Sequence, residues 1–140
     1  MPSFDRRSKP QRVDRDPVVR YLGALQGQVM AILWQRESAT VREVLDDLNK
    51  QRKRKLAYTT VLTLVSRLWS RGLLEREQEG RGFRYRAAKT RDELLGELSE
   101  QLIDRLLDDF GEIAIARLGA RLDSLDPSRV AKLKRARRRR

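Results

Sequence analysis

The sequence predicts a mainly α chain with one small β-hairpin, divided into a compact head and a separate helical region. Three observations carry that expectation. Apolar side chains recur at helical spacing in three stretches between residues 22 and 71; a Gly-flanked alternating stretch follows up to residue 86; and a leucine-rich helical run begins at residue 94.

The first helix is expected over residues 22 to 35, where Leu22, Leu25, Val29, Ile32 and Leu33 recur three and four positions apart and Trp34 stands near the end. A second starts near Val41. Thr40 followed by Glu43 is a capping-box pattern, in which each side chain accepts from the other residue's backbone N–H, and Val41, Val44, Leu45 and Leu48 supply the core face. The charged run from Lys50 to Lys55 breaks the period and predicts a turn. The third helix is expected over 58 to 71, with Val61, Leu64, Val65 and Leu68 on one side and Gly72 ending it. At about 100° per residue the opposite side gathers Thr59, Thr63, Ser66 and Ser70, with Thr60 and Arg67 at its edge. Leu62 and Trp69 fall beside the core stripe and are expected to pack.

After Gly72 the period becomes two. Leu73 to Glu79 and Phe83 to Arg86 read as two strands around Gly80-Arg81-Gly82. Three helices followed by such a hairpin are the element order of a winged helix-turn-helix, whose third helix enters the major groove while the hairpin forms the wing.

Thr90 and Glu93 form a second capping box. Beyond it Leu94, Leu95, Leu98, Leu102, Leu106 and Phe110 mark a long helix, interrupted near Gly111, and Ile113, Leu118 and Leu122 continue the apolar theme. Asp126-Pro127 caps a last short helix carrying Val130 and Leu133. A stripe this rich in leucine, with no third layer of its own, is expected to meet the same stripe of a second copy through Leu95, Leu98, Leu102, Leu106, Phe110, Ile113, Leu118, Leu122 and Leu133. Packing back onto the head is the alternative. The expected organisation is a flexible basic arm (1–20), a winged-helix domain (21–88), a helical dimerisation domain (89–134) and an Arg-rich tail (135–140).

Composition narrows function. The 140 residues include no Cys and no His, which removes disulfides, thiolate metal sites and histidine acid-base catalysis. No metal or other cofactor is expected, and no enzyme activity. The acidic pairs Asp46-Asp47 and Asp108-Asp109 read as solvated charge, because adjacent helical residues diverge and no third ligand is evident. No apolar run approaches the roughly 18 residues that span a bilayer, and the N-terminus lacks a secretory h-region, so a cytoplasmic protein without membrane insertion is expected.

The net charge of +12 is unevenly distributed. Residues 50 to 91 carry 13 basic and 3 acidic side chains, residues 92 to 128 carry 3 basic and 10 acidic, and residues 129 to 140 carry 8 basic and none acidic. A cationic block beside an anionic one fits a phosphate-binding head joined to a part held away from nucleic acid. For reading base edges the candidates are Thr59, Thr60, Thr63 and Arg67, since threonine offers a hydroxyl and a methyl and arginine reaches guanine or phosphate. For phosphates they are Lys53, Arg54, Lys55 and Tyr58 before and at the helix start and Arg81, Arg84 and Arg86 in the wing. Solvated helix surface is the alternative for any one of them, and Tyr58 is also placed to cap the core. A non-specific or single-strand nucleic-acid binder is the rival reading of the same charge.

With these segments in place, the chain resembles the BlaI/MecI/CopY penicillinase-repressor family over residues 21 to 134. The likeness lies in Leu22-Gly23, Val29 to Trp34, Ala39 to Leu45, Leu56 to Thr63, Arg67-Leu68, Gly72-Leu73 and Arg84-Tyr85, and Ala57-Tyr58-Thr59-Thr60-Val61 is its most specific piece. The resemblance implies a homodimer joined through C-terminal helices, bound to double-stranded DNA at a palindromic operator of TACA and TGTA elements, usually to repress. It also implies, for some members, a sensor protease that triggers cleavage at an Asn-Phe bond. The comparable stretch here is Arg117-Leu118, so such a partner is not evident. Copper-responsive members carry a C-terminal cysteine motif, which this chain lacks.

Overall fold

The structure, a computed structural model, describes residues 16 to 138. Its order is α1 (Pro17–Leu22), α2 (Ala24–Arg36), β1 (Ala39–Thr40), α3 (Val41–Asn49), α4 (Tyr58–Ser70), β2 (Leu74–Glu79), β3 (Gly82–Ala87), α5 (Arg91–Phe110), α6 (Glu112–Asp123) and α7 (Pro127–Arg138). Two compact units meet between Gly96 and Glu97, within α5.

In the first unit, α2, α3 and α4 enclose a core of Val29, Met30, Leu33, Val44, Val61, Val65 and Leu68, each no more than 1% exposed. All but Met30 belong to the stripes that the spacing predicts, while Leu25 and Ile32, expected beside them, are half-buried; burying such stripes is what holds short helices in place. The expected first helix differs. It is broken at Gly23, whose φ of 97° lies in the region a side chain disfavours, and residues 17 to 20, expected in the flexible arm, form most of α1. Asp16 caps α1 by accepting from Val18 N–H at 2.9 Å, and Val18 is buried. The rest of the arm lies outside the described residues. Helix α1 approaches α2 so closely that a Cβ on Gly27 would lie 2.9 Å from Val19 Cα.

The threonine half of each capping box forms, with Glu43 N–H donating to Thr40 Oγ1 at 3.2 Å and Glu93 N–H to Thr90 Oγ1 at 3.1 Å, and each glutamate carboxylate accepts from the threonine hydroxyl. Helix α4 ends as its glycine predicts. Gly72 has φ 77°, its N–H reaches Trp69 O and the N–H of Leu73 reaches Leu68 O, both at 3.0 Å, which satisfies two terminal carbonyls. The hairpin β2–β3 pairs Leu74 with Ala87 through Glu79 with Gly82. The sheet has a third member absent from the sequence reading: β1 pairs with β3, Ala39 opposite Tyr85 and Thr40 opposite Arg84, in the order β1-β3-β2. Trp34 Nε1 donates to Lys89 O at 2.9 Å, fixing the exit from the sheet against α2.

The second unit contains the remainder of α5, with α6 and α7. Asp126 caps α7 by accepting from Ser128 N–H at 2.9 Å. Residues 135 to 138, expected as part of the Arg-rich tail, continue α7; Arg139 and Arg140 lie outside the described residues. Of the expected dimer residues, Leu102, Leu106, Phe110, Ile113, Leu118 and Leu122 are exposed and Leu95 and Leu98 half-buried; the side chain of Leu133 lies outside the described set. Ile103, Leu107 and Ile115 widen the exposed apolar surface. No helix among the described residues is long and apolar enough to cross a membrane.

Candidate nucleic-acid interface

Helix α4 divides into two sides. Val61, Val65 and Leu68 are fully buried, while Thr59, Thr60, Thr63, Arg67 and Ser70 are exposed and Ser66 is half-buried. The four residues expected to read bases therefore share the accessible side of one helix. Thr63 Oγ1 donates to Thr59 O at 2.9 Å, so it offers a partner its methyl and its acceptor lone pairs. Leu64, expected in the core, is only half-buried. Leu62 and Trp69, expected to pack, are each 39% exposed; Trp69 instead carries the guanidinium of Arg76 3.5 Å above its ring.

The loop from Lys50 to Ala57 presents Lys53, Arg54 and Lys55, all exposed. It is closed by Asn49, which accepts from Leu56 N–H at 2.8 Å and donates through Nδ2 to Leu56 O at 3.1 Å. Lys55 Nζ also donates to Asn49 O. Helix α4 then begins at Tyr58 with no side-chain cap, and of its first amides that of Thr60 already reaches Ala57 O at 3.1 Å, which leaves those of Tyr58 and Thr59 to meet an anion. Tyr58 is 42% exposed, with Arg42 from the first turn of α3 over its ring at 5.4 Å. Sequence reading missed Arg42 and Asn49. Arg42 belongs to the same cationic surface, and an Asn ending a helix before a turn is the only local signal for the clamp.

In the wing the three arginines part company. Arg81 sits exposed at the turn beside Gly80. Arg86 pairs with Glu75 at 2.9 Å. All three guanidinium nitrogens of Arg84 are engaged within the chain: Nε with both Glu79 oxygens at 3.2 Å, Nη1 with Ser38 Oγ at 3.3 Å and Nη2 with Glu43 Oε1 at 3.0 Å. The Glu79 and Glu43 hydrogen bonds raise the Arg84 pKa further, so it stays charged and held. A phosphate contact by Arg84, as the sequence leads one to expect, would compete with these bonds. Charge alone shows a cation, not its partners.

The family model described as penicillinase repressor matches residues 22 to 138. The chain belongs to the penicillinase repressor family. It is 42% identical over 116 residues to the protein named transcriptional regulator BlaI in two strains of Mycobacterium tuberculosis, covering 79% of this chain and 81% of the relative. It is 21% identical over 85 residues to the methicillin resistance regulatory protein MecI of Mammaliicoccus sciuri, covering 61% of this chain and 68% of the other. Among solved structures, the oxidized form of MarR from E. coli aligns with a TM-score of 0.43 at 20% identity, covering 87% of this chain and 81% of that one. As a penicillinase repressor the chain is a DNA-binding regulator that represses transcription, and not an enzyme.

Proposed function

We propose that this repressor acts as a homodimer on a palindromic operator of the TACA/TGTA type, with one α4 in each of two successive major grooves about one DNA turn apart. The observation that carries the reading is the sidedness of α4: Thr59, Thr60, Thr63 and Arg67 are accessible together because Val61, Val65 and Leu68 anchor the opposite side. Short hydroxyl side chains let a helix approach base edges closely, and threonine methyls match the thymine C5-methyl. Lys53, Arg54, Lys55, Arg42 and Tyr58 on one flank and Arg81 on the other supply phosphate contacts that set register. Bound in this way, the protein excludes polymerase from a promoter, which is work done on chromosomal DNA in the cytoplasm.

A second copy is supported by the exposed apolar surface of α5 and α6, where Leu106, Phe110, Ile113, Ala114 and Leu118, with Arg117 and Arg121, line a groove of about 370 Å³. Apolar surface of this extent is normally covered. No sensor protease enters this reading, since the stretch comparable to the Asn-Phe bond is Arg117-Leu118.

The test is a footprint across the promoter of the chain's own gene, paired with gel shifts on the protected site and a scrambled duplex. Two protected half-sites related by a dyad, and tighter binding to the native sequence, are expected. Equal binding to both duplexes would favour a non-specific nucleic-acid binder instead.

A further inference from the structure

Glu43 has more partners than a helix cap requires. Its N–H meets Thr40 Oγ1, its Oε1 accepts from Thr40 Oγ1 at 3.3 Å and from Arg84 Nη2 at 3.0 Å, and its Oε2 accepts from Arg36 Nη1 at 3.1 Å. One carboxylate in the first turn of α3 thereby ties the end of α2 to the middle of β3. The opposite face of the hairpin is held independently. Arg76, opposite Tyr85 in the register, places its guanidinium 3.5 Å from the Trp69 ring and 4.0 Å from the Phe83 ring, joining β2 and β3 to the last turn of α4. The hairpin is thus tied to α3 from one face and to α4 from the other.

We propose that Glu43 is a positioning residue for DNA binding, which sets the wing through Arg84, and that Arg84 is the tie rather than a phosphate ligand. The inference rests on the DNA-binding reading above and deepens it. Arg84 faces two carboxylates, so the local charge where it sits is not positive. Turning it toward a phosphate would break its bonds to Glu43, Glu79 and Ser38 and leave Glu43 paired with Arg36. The direct phosphate contact of the wing is then Arg81, at the turn.

The experiment is a salt series of operator affinity for the full chain and for Glu43→Gln, Arg84→Gln, their double variant, Arg84→Lys and Arg81→Gln. A lost phosphate contact lowers the slope of log affinity against log salt by about 0.9. Arg81→Gln is expected to show that decrease. Arg84→Gln and Glu43→Gln are each expected to weaken binding several-fold with the slope unchanged, the double variant no more than either single, and Arg84→Lys is expected to give no rescue because one ammonium cannot span three partners. A slope reduced by Arg84→Gln, or a Glu43→Gln variant that binds as tightly as the parent or tighter, overturns the proposal. Should Glu43→Gln melt below the assay temperature, the slope of Arg84→Gln alone decides. Absence of any operator preference in the parent chain would be a failure of the DNA-binding reading, a separate result.

Discussion

Asn49 and Leu56 are joined by two hydrogen bonds running in opposite directions, one donated by the backbone N–H of Leu56 to Asn49 Oδ1 and one donated by Asn49 Nδ2 to the Leu56 carbonyl, at 2.8 and 3.1 Å. The side chain of a helix-terminal residue thus acts as a strand-like partner for the chain six residues after the turn begins, and it closes the loop carrying Lys53, Arg54 and Lys55. Asn49→Ala removes both bonds and leaves two half-buried backbone groups to find water. A loss of about 1–2 kcal/mol in stability is expected, read by thermal or denaturant melting, together with weaker operator binding in a gel shift. Unchanged affinity would show that the loop needs no clamp.

Helix α1 depends on the absence of a side chain at Gly27. A methyl group there would meet Val19 Cγ2 at 2.8 Å and Val19 Cα at 2.9 Å, and backbone cannot yield as a flexible side chain can. Gly27→Ala is expected to destabilise the head by about 1–3 kcal/mol through overpacking, with a lower melting temperature as the measurement.

Thr63 tests the reading side of α4. Its hydroxyl already donates to Thr59 O, so Thr63→Ala deletes an acceptor and a methyl with little cost to the helix. Specific binding is expected to fall by about 1 kcal/mol or more, with non-specific binding nearly unchanged. Equal losses on operator and scrambled duplex would remove Thr63 from the reading surface.

Acid stability follows from Asp47. Its carboxylate receives Arg36 Nε at 2.5 Å and Lys50 Nζ at 3.2 Å, and the Arg36 hydrogen bond above all lowers its pKa from 3.8 to about 2. Because the folded value lies below the unfolded one, this contribution is present in full above about pH 4 and is lost as pH falls toward 2. Its size is about 1 kcal/mol for a pair partly open to water. Asp47→Asn is expected to flatten that part of the stability curve in pH-dependent melts; an unaltered acid limb would mean that the pair contributes nothing.

The proposed dimer surface can be broken without touching the head. Phe110 is 60% exposed and Ile113 69%, so Phe110→Asp adds a charge at a position that solvent already reaches in a single copy. Sedimentation is expected to show a shift toward monomer, and operator affinity to fall steeply because two half-sites are no longer engaged together. A variant still dimeric, with full affinity, would locate the interface elsewhere.

Features encoded within a few residues were legible. Both Thr-x-x-Glu boxes, the Gly72 ending of α4 and the Asp126-Pro127 start of α7 each depend on contacts that the local sequence completes. The same Asp-Pro signal stands at Asp16-Pro17, where a six-residue helix offers too little length for a period and residues 17 to 20 read as an arm. Strand β1 is two residues long and exists through pairing with Tyr85 and Arg84 more than forty positions away. The role of Arg84 was hidden for the same reason. Glu43 and Ser38 meet it only after the hairpin folds against α3.

What the chain order alone determined was the sequence of helices, the hairpin and the location of cationic charge, because hydrophobic period, caps and turn residues act over one or two turns. What only the tertiary structure decided was which of those cations stay free. Guanidinium groups alike in sequence become a tie, a clamp between rings or an open contact according to the carboxylates and aromatics that distant segments bring beside them, and no local pattern records that proximity.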